Sequence, residues 1–274
     1  MINTDEFMDF LDGAENIAEE NLKIVLSSVL NGSNWLLRNA PDVVLFSKDK
    51  VHTLVQNVQH MLLKQALTSL RATNLLCLRG YTSQAASVAS SLFELRLYSN
   101  FIGLKNSRAE EFLNHSNSQN FVWQPKKMIR HEAETRINLF SEKCNEGTVK
   151  KATELINASY VFLCSLKHSN PISLRHAVGA RDNIIGSSFK DGGFPVISLP
   201  DTREEDNSTK ATILVTANNS TFYITRNVMM AGKDDSAEWQ SWFTTFNLKW
   251  DEVAKSSKLG LSNFGSMPFP TIMR

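Results

Sequence analysis

Two charges in an otherwise apolar stretch are the first candidates for chemistry. From Ser83 to Leu104 the formal charges are Glu94 and Arg96 alone. Ala85, Ala86, Val88, Ala89, Leu92, Phe93, Leu95, Leu97, Tyr98, Phe101 and Ile102 occupy every side of the helix that this stretch predicts, and a helix apolar all round is a buried one. On such a helix Glu94 and Arg96 point about 160° apart, so each needs its own partner. An unpaired buried charge costs several kcal/mol. Either each residue forms a structural ion pair with a neighbouring helix, or one of them lines a polar cleft. Arg71 and Arg79 are candidate partners for Glu94. His168 is the next residue out of place, because it ends a second apolar helix within the polar turn Lys167-His168-Ser169-Asn170-Pro171. The helix dipole there favours a protonated ring, and the side chain has either a capping role or an acid/base role. Glu94, Arg96, His168 and Asn170 are thus expected to form a buried polar network with Arg71, Arg79 or Tyr98 nearby. A carboxylate beside His168 would raise the imidazole pKa.

A third candidate pair is Arg108 and His115, which fits the Arg-x4–6-His spacing of HEPN ribonucleases. Seven residues apart on one helix, the two side chains share a face. In that chemistry the His moves the 2′-hydroxyl proton and the Arg holds the phosphate. Ala109 stands where such sites prefer a small polar residue, and a solvated helix face is the plain alternative. The order of features also resembles a group of bacterial all-helical domain families of unassigned activity, placed near the HEPN and abortive-infection bundles. The resemblance rests on Ala89-Ser-Ser-Leu-Phe-Glu94, Arg108-Ala-Glu-Glu-Phe-Leu, Lys167-His168-Ser169-Asn170-Pro171 and a closing Trp-containing helix, and spans roughly residues 55–250. It implies a bacterial cytosolic protein, with stress response or phage defence as its setting.

The elements that must position these residues are helices. Apolar residues recur at helical spacing from Thr4 to about Leu37, where Pro41 stops the pattern, and from Ser47 to about Arg79, which Gly80 ends. Short segments follow near Arg108–Ser116 and from Pro125 to about Cys144, the latter strongly charged and so expected at the periphery. The helix from Val149 to Lys167 carries one stripe through Ile156 and Leu163 and another through Val161 and Cys164, so its C-terminal half is expected to be buried. Asn170-Pro171 opens a short helix ending near Gly179, and residues 186–202 form a loop. Residues 211–225 read by composition as a hairpin split at Asn218-Asn219, or as a helix capped by Asp206 or Ser208 and ended by Gly232. Helix is preferred, because an isolated hairpin has no sheet to join. Trp239, Trp242 and Trp250 form a stripe on the last helix, expected to pack in the core. The fold expectation is an all-α bundle of seven to nine helices, with 83–104 and 149–167 at its centre. It forms one domain: an N-terminal helical arm to 40, a core bundle over 47–180, C-terminal helices over 201–255 and an irregular tail over 256–274.

Composition narrows the function. The 274 residues carry 29 basic and 28 acidic side chains, a net charge of +1, which argues against a general nucleic-acid binder. No apolar run is long enough for a membrane span, and the first residues lack the basic and apolar regions of a signal peptide. Three widely spaced cysteines, Cys77, Cys144 and Cys164, fit a reduced cytoplasmic protein. The phosphate-binding, dinucleotide-binding, nucleophile-elbow and Cys-x-x-Cys motifs are all missing, and Thr135 breaks the zinc motif begun by His131-Glu132. Lys126, Lys127, Arg130 and His131 make a basic turn. The function expected is that of a binding protein acting through a cleft or an oligomer interface, without metal or cofactor. Its partner is another protein or a second copy, with neither DNA nor a membrane involved. The alternative is a metal-independent ribonuclease acting on RNA.

Overall fold

A computed structural model describes residues 4–46, 52–115, 121–140, 146–167, 206–234 and 236–256. These form nine helices and no strand, an all-α bundle as the periodicity predicts. We number them α1 (Thr4–Val25), α2 (Ser27–Phe46), α3 (Leu54–Leu78), α4 (Thr82–Ile102), α5 (Asn106–Leu113), α6 (Pro125–Phe140), α7 (Glu146–Lys167), α8 (Asn207–Ala231) and α9 (Ala237–Ser256). Among the described residues no helix is long and apolar enough to cross a membrane.

The first helical stretch departs from expectation. Pro41 does not end it but lies inside α2, on the exposed side. Its missing N–H deprives only the Leu37 carbonyl of a helical donor, and water can replace one exposed bond. The interruption falls instead at Leu26, and it is slight. The Leu26 N–H still donates to Leu22 O at 2.8 Å, and its carbonyl still accepts from Leu30 N at 2.9 Å. α3 begins later than its apolar pattern suggests, because Thr53 caps it. Thr53 Oγ1 accepts from Gln56 N at 3.2 Å, and Gln56 Oε1 accepts from Thr53 N at 2.6 Å, a reciprocal box that satisfies two orphan donors. At the other end of α4, Gly103 adopts φ +53, a conformation L side chains rarely tolerate.

α4 is central, as predicted, with α3, α5, α6, α7 and α8 packed around it. Its second central companion is not α7 but α8, which packs on α2, α3 and α4. The outer side of α7 faces solvent, with Val161 54% exposed and Leu155 also exposed. The second apolar stripe of that helix is covered only in part: Val161 is open, while Cys164 is half-buried with its Sγ 3.8 Å from Ser90 Oγ. α8 runs unbroken through Asn218-Asn219, so the segment 211–225 is helix and not hairpin. Its hydroxyls, those of the buried Ser220, Thr221 and Thr225 included, are satisfied locally. Thr212, Thr216, Ser220, Thr221 and Thr225 each donate to the carbonyl four residues earlier, at 2.8–3.0 Å, which lets a polar helix occupy an apolar centre. Asn218 is a tie between helices, not a turn residue: its Nδ2 donates to Val29 O at 3.0 Å and its Oδ1 accepts from Ser33 Oγ at 2.7 Å.

One hydrophobic cluster runs from Ala18 on α1 to Ala254 on α9. Trp239 and Trp250 are buried in it with Phe243 and Phe246, and Trp242 packs at its edge, so the tryptophan stripe is core. α6 also enters it, against the expectation of a peripheral helix: Met128, Ile129, Ala133 and Ile137 are buried. The charges of α6 suggested exposure, but one of its carboxylates points inward with these apolar residues. The Asn170–Gly179 helix, the 186–202 loop, Cys144, His168, Asn170 and the tail from 257 lie outside the described residues.

Candidate functional site

Where α4, α6 and α8 meet, polar side chains converge. α6 presents Glu132 one turn before Arg136, and its apolar face turns Glu132 into the interior until it is 2% exposed. Arg96 of α4 meets it, with Nε donating to Oε2 at 3.3 Å and Nη2 donating to Oε1. Asn100 Nδ2 donates to Oε2 at 2.7 Å, and Arg136 Nη2 lies against Oε1 as a second ion pair. Burial works against the Glu132 charge, but the Arg136 and Arg96 guanidiniums and their hydrogen bonds outweigh it, so its pKa falls below the usual carboxylate range. Burial also pulls Arg96 down, opposed by Glu132. An arginine starts so far above neutrality that it stays charged.

α8 adds Tyr223, Arg226 and Asn227. The Arg96 and Arg136 guanidinium carbons stand 4.7 and 4.1 Å from the Tyr223 ring centroid, within cation–π range. Asn227 Nδ2 donates to Asn100 Oδ1 at 2.6 Å and Ser99 Oγ at 2.9 Å. Ser99 Oγ in turn donates to Gln59 Oε1 at 2.6 Å. The network thus reaches α3 as well. Arg226 is half-buried, and burial first, then the nearby Arg136 charge, lowers its pKa against the opposing influence of Tyr223.

Of the network expected from sequence, Arg96 is in place and the rest divides. Glu94 is half-buried and accepts from Tyr160 Oη of α7 at 3.1 Å. Arg71 is exposed, and Arg79 serves α1 instead, with Nη1 donating to Glu15 Oε2 at 2.5 Å. Tyr81 Oη also donates to Glu15, at 2.5 Å, and burial followed by that carboxylate pushes its phenol up to about 12. Tyr98 lies near Glu94, whose charge adds to burial in raising its pKa. His168 and Asn170 are outside the described residues. Arg108 and His115 do not share a helix face, because α5 ends at Leu113 with Asn114 as its cap, two residues short of His115. The Arg108 guanidinium stacks 4.1 Å over Phe101, donates to Phe101 O and contacts His131 Nε2 at 3.2 Å. Burial, then the Arg108 charge, lowers the His131 pKa. Cys77 is no nucleophile, since burial pushes its thiol up to about 12. Among the described residues no group of His, Cys, Asp and Glu is placed to hold a metal.

Sequence reading missed Glu132, Arg136, Tyr223 and Arg226. A signal existed for the first two: Met128, Glu132 and Arg136 follow at spacings of four beside Ile129, Ala133 and Ile137, which puts the acid at the edge of an apolar stripe.

The second unusual surface is the outer face of α1. Phe10, Ile17 and Ile24 recur at intervals of seven and are 58%, 61% and 76% exposed. Ala18 and Leu22 on the opposite side are buried. Asp9 and Glu20 are exposed along one edge of the stripe. The helix carries seven acidic residues against one lysine, Lys23, which pairs with Glu19 at 2.6 Å. Comparison with protein-family models, with curated proteins and with solved structures finds no match for this chain.

Proposed function

We propose that this protein is an interaction protein, a helical bundle that binds a basic amphipathic helix of another protein along the outer face of α1. One observation carries the reading: Phe10, Ile17 and Ile24 stand as a row of exposed apolar anchors, one every two turns, on a helix whose opposite face is already packed. Fourteen residues of helix extend about 21 Å, enough for a partner helix to seat three anchors in the helix-in-groove manner. The acidic edge selects the partner's charge. A second copy of α1 is a poorer occupant, because it would bring seven further acids and a lysine already engaged by Glu19. The cytoplasmic setting of the proposal rests on the thiols: Cys77 and Cys164 are both free.

The test uses a fluorescent Leu/Lys amphipathic helix and its Leu/Glu counterpart. The Leu/Lys peptide should raise anisotropy saturably, the Leu/Glu peptide should not, and Ile17→Asp should weaken binding at least tenfold with an unchanged melting temperature. Equal binding of both peptides refutes the charge argument. A concentration-dependent dimer that Ile17→Asp dissociates makes the second copy the occupant and overturns the proposal.

A further inference from the structure

No packing within the bundle calls for the glycine at position 13 of α1. Glycine is a poorer residue than alanine in a helix interior, because it loses more backbone freedom on folding. Two internal needs would justify it, and Gly13 shows neither. Among the described glycines positive φ belongs to Gly80 and Gly103, so Gly13 keeps a backbone that any L residue adopts. A Cβ placed on it would meet nothing within 4 Å, whereas the same atom on Gly32 of α2 would stand 3.1 Å from Asn218 Nδ2. Gly32 makes room for α8. Gly13 makes room at a solvent-facing surface.

Its place on the helix gives that room a shape. A side chain of a facing helix seats among four residues at i, i+3, i+4 and i+7. Phe10, Gly13, Ala14 and Ile17 stand at that spacing. Phe10 and Ile17 are the exposed apolar ends of this hole, and Gly13 and Ala14 are its low walls. The next hole lies seven residues on, about 10.5 Å along the axis, and its walls are polar: Ile17, Glu20, Asn21 and Ile24. Lys23 pairs with Glu19, which leaves the exposed carboxylate of Glu20 to a partner.

We infer that these two unlike holes select a partner helix with a bulky apolar residue and a lysine or arginine seven residues apart, an inference that rests on the docking reading of α1 above. The first hole takes the bulky residue, because helices approach as closely as the side chains at their contact allow and Gly13 has none. The second takes the basic residue, whose methylene stem lies along Ile17 and Ile24 while its charged head reaches Glu20. The acidic edge of α1 sets the sign of the partner's charge, and the holes set its register. A second copy of α1 lacks the pair, since Asn16 stands seven residues before its one lysine, Lys23.

Three fluorescent helical peptides with a common lysine-rich outer face test the assignment. The first carries leucine and lysine seven residues apart on its docking face. The second has that leucine changed to alanine, and the third has that lysine changed to leucine. Anisotropy titrations should rank the first at least tenfold above each of the others, although the third is the most apolar. Glu20→Gln should remove the advantage of the first over the third. Gly13→Leu tests the hole itself. It introduces a better helix former into open space, so circular dichroism should be kept and the melting temperature should rise by about 1–2 °C. The first peptide should nevertheless bind at least tenfold more weakly, because the hole is filled, whereas a flat apolar row would bind it more tightly. Three peptides of equal affinity overturn the inference. So does binding that Ile17→Asp abolishes but Gly13→Leu leaves unchanged or strengthens, and in that case the docking face on α1 stands. A wild-type protein that binds none of the peptides overturns the holes and the docking face together.

Discussion

Replacing Glu132 by Gln keeps the volume of the side chain and removes one charge, so it isolates the electrostatics of the junction. In the wild type the carboxylate is 2% exposed and neutralises Arg96, itself 5% exposed. Breaking a buried ion pair by removing one partner costs about 3–5 kcal/mol, because the surviving charge stays desolvated. Arg136 pairs with the same carboxylate through a buried Nη2, so losing Glu132 strands a second desolvated charge and places the loss towards the upper end of that range. A loss of about 3–5 kcal/mol corresponds to a fall in melting temperature on the order of 10 °C for a chain of this size. Urea and thermal unfolding of Glu132→Gln beside the wild type measure it. The paired replacement Arg96→Met with Glu132→Leu removes both charges and should recover at least half of the loss, because apolar pairs often substitute for buried ion pairs without penalty. The pH dependence gives a second check. The Glu132 pKa is lowered in the folded state, so its contribution is complete above the unfolded carboxylate pKa of about 4.3 and disappears as pH falls through the folded value. Wild-type stability should therefore drop below pH ~4 more steeply than that of Glu132→Gln. A single variant within 1 kcal/mol of wild type, or a double variant no more stable than the single, would refute the account.

Three further outcomes follow from particular contacts. Gly32→Ala places a Cβ 3.1 Å from Asn218 Nδ2, and Asn218 cannot retreat without losing Val29 O and Ser33. Chemical denaturation should show a loss of about 1–2 kcal/mol in place of the usual helix-propensity gain. Tyr160→Phe removes the hydrogen bond to Glu94 and should cost about 0.5–1.5 kcal/mol by urea unfolding, with Glu94→Gln in the same range and the double variant less than additive. Arg108→Ala should raise the His131 pKa towards 6.5, followed by the Cε1 proton shift in NMR. Because folding depresses that pKa, the His131 contribution to wild-type stability is complete above about pH 6.5 and falls as pH drops through the folded value.

The fold was legible wherever apolar spacing and Gly or Asn punctuation agree, as for α4, α7 and α9. It was less so where local rules conflict with packing. Pro41 is a helix breaker in isolation, yet it sits in α2 because its side of the helix is solvated. α8 is rich in β-branched residues and Asn, and only its neighbours settle it as helix. The site was legible from one side. Arg96 was conspicuous because it interrupts an apolar helix, whereas its partner Glu132 was hidden in a segment where charges are common. Tyr223 and Arg226 became visible only when α8 was placed against α4 and α6, since pairing between distant helices leaves no trace in local spacing. The outer face of α1 was readable as periodicity, but the sequence assigned Ile17 and Ile24 to the same apolar pattern as Ala14 and Val25 and did not distinguish the packed side from the open one.

The placement of α8 bears on how the chain reaches its native state. α3 and α4 come from residues 54–102, while the helix that covers them lies more than a hundred residues later. Contacts so distant in sequence close late. Until then residues 211–225, with no charged side chain among them, carry the composition of an aggregation-prone strand. Pulsed hydrogen exchange during refolding should find the α8 amides protected after those of α3 and α4. On the ribosome the α3–α4 pair must wait with its α8-facing surface uncovered until residue 231 has emerged, and that interval is when the protein most needs dilution or a chaperone.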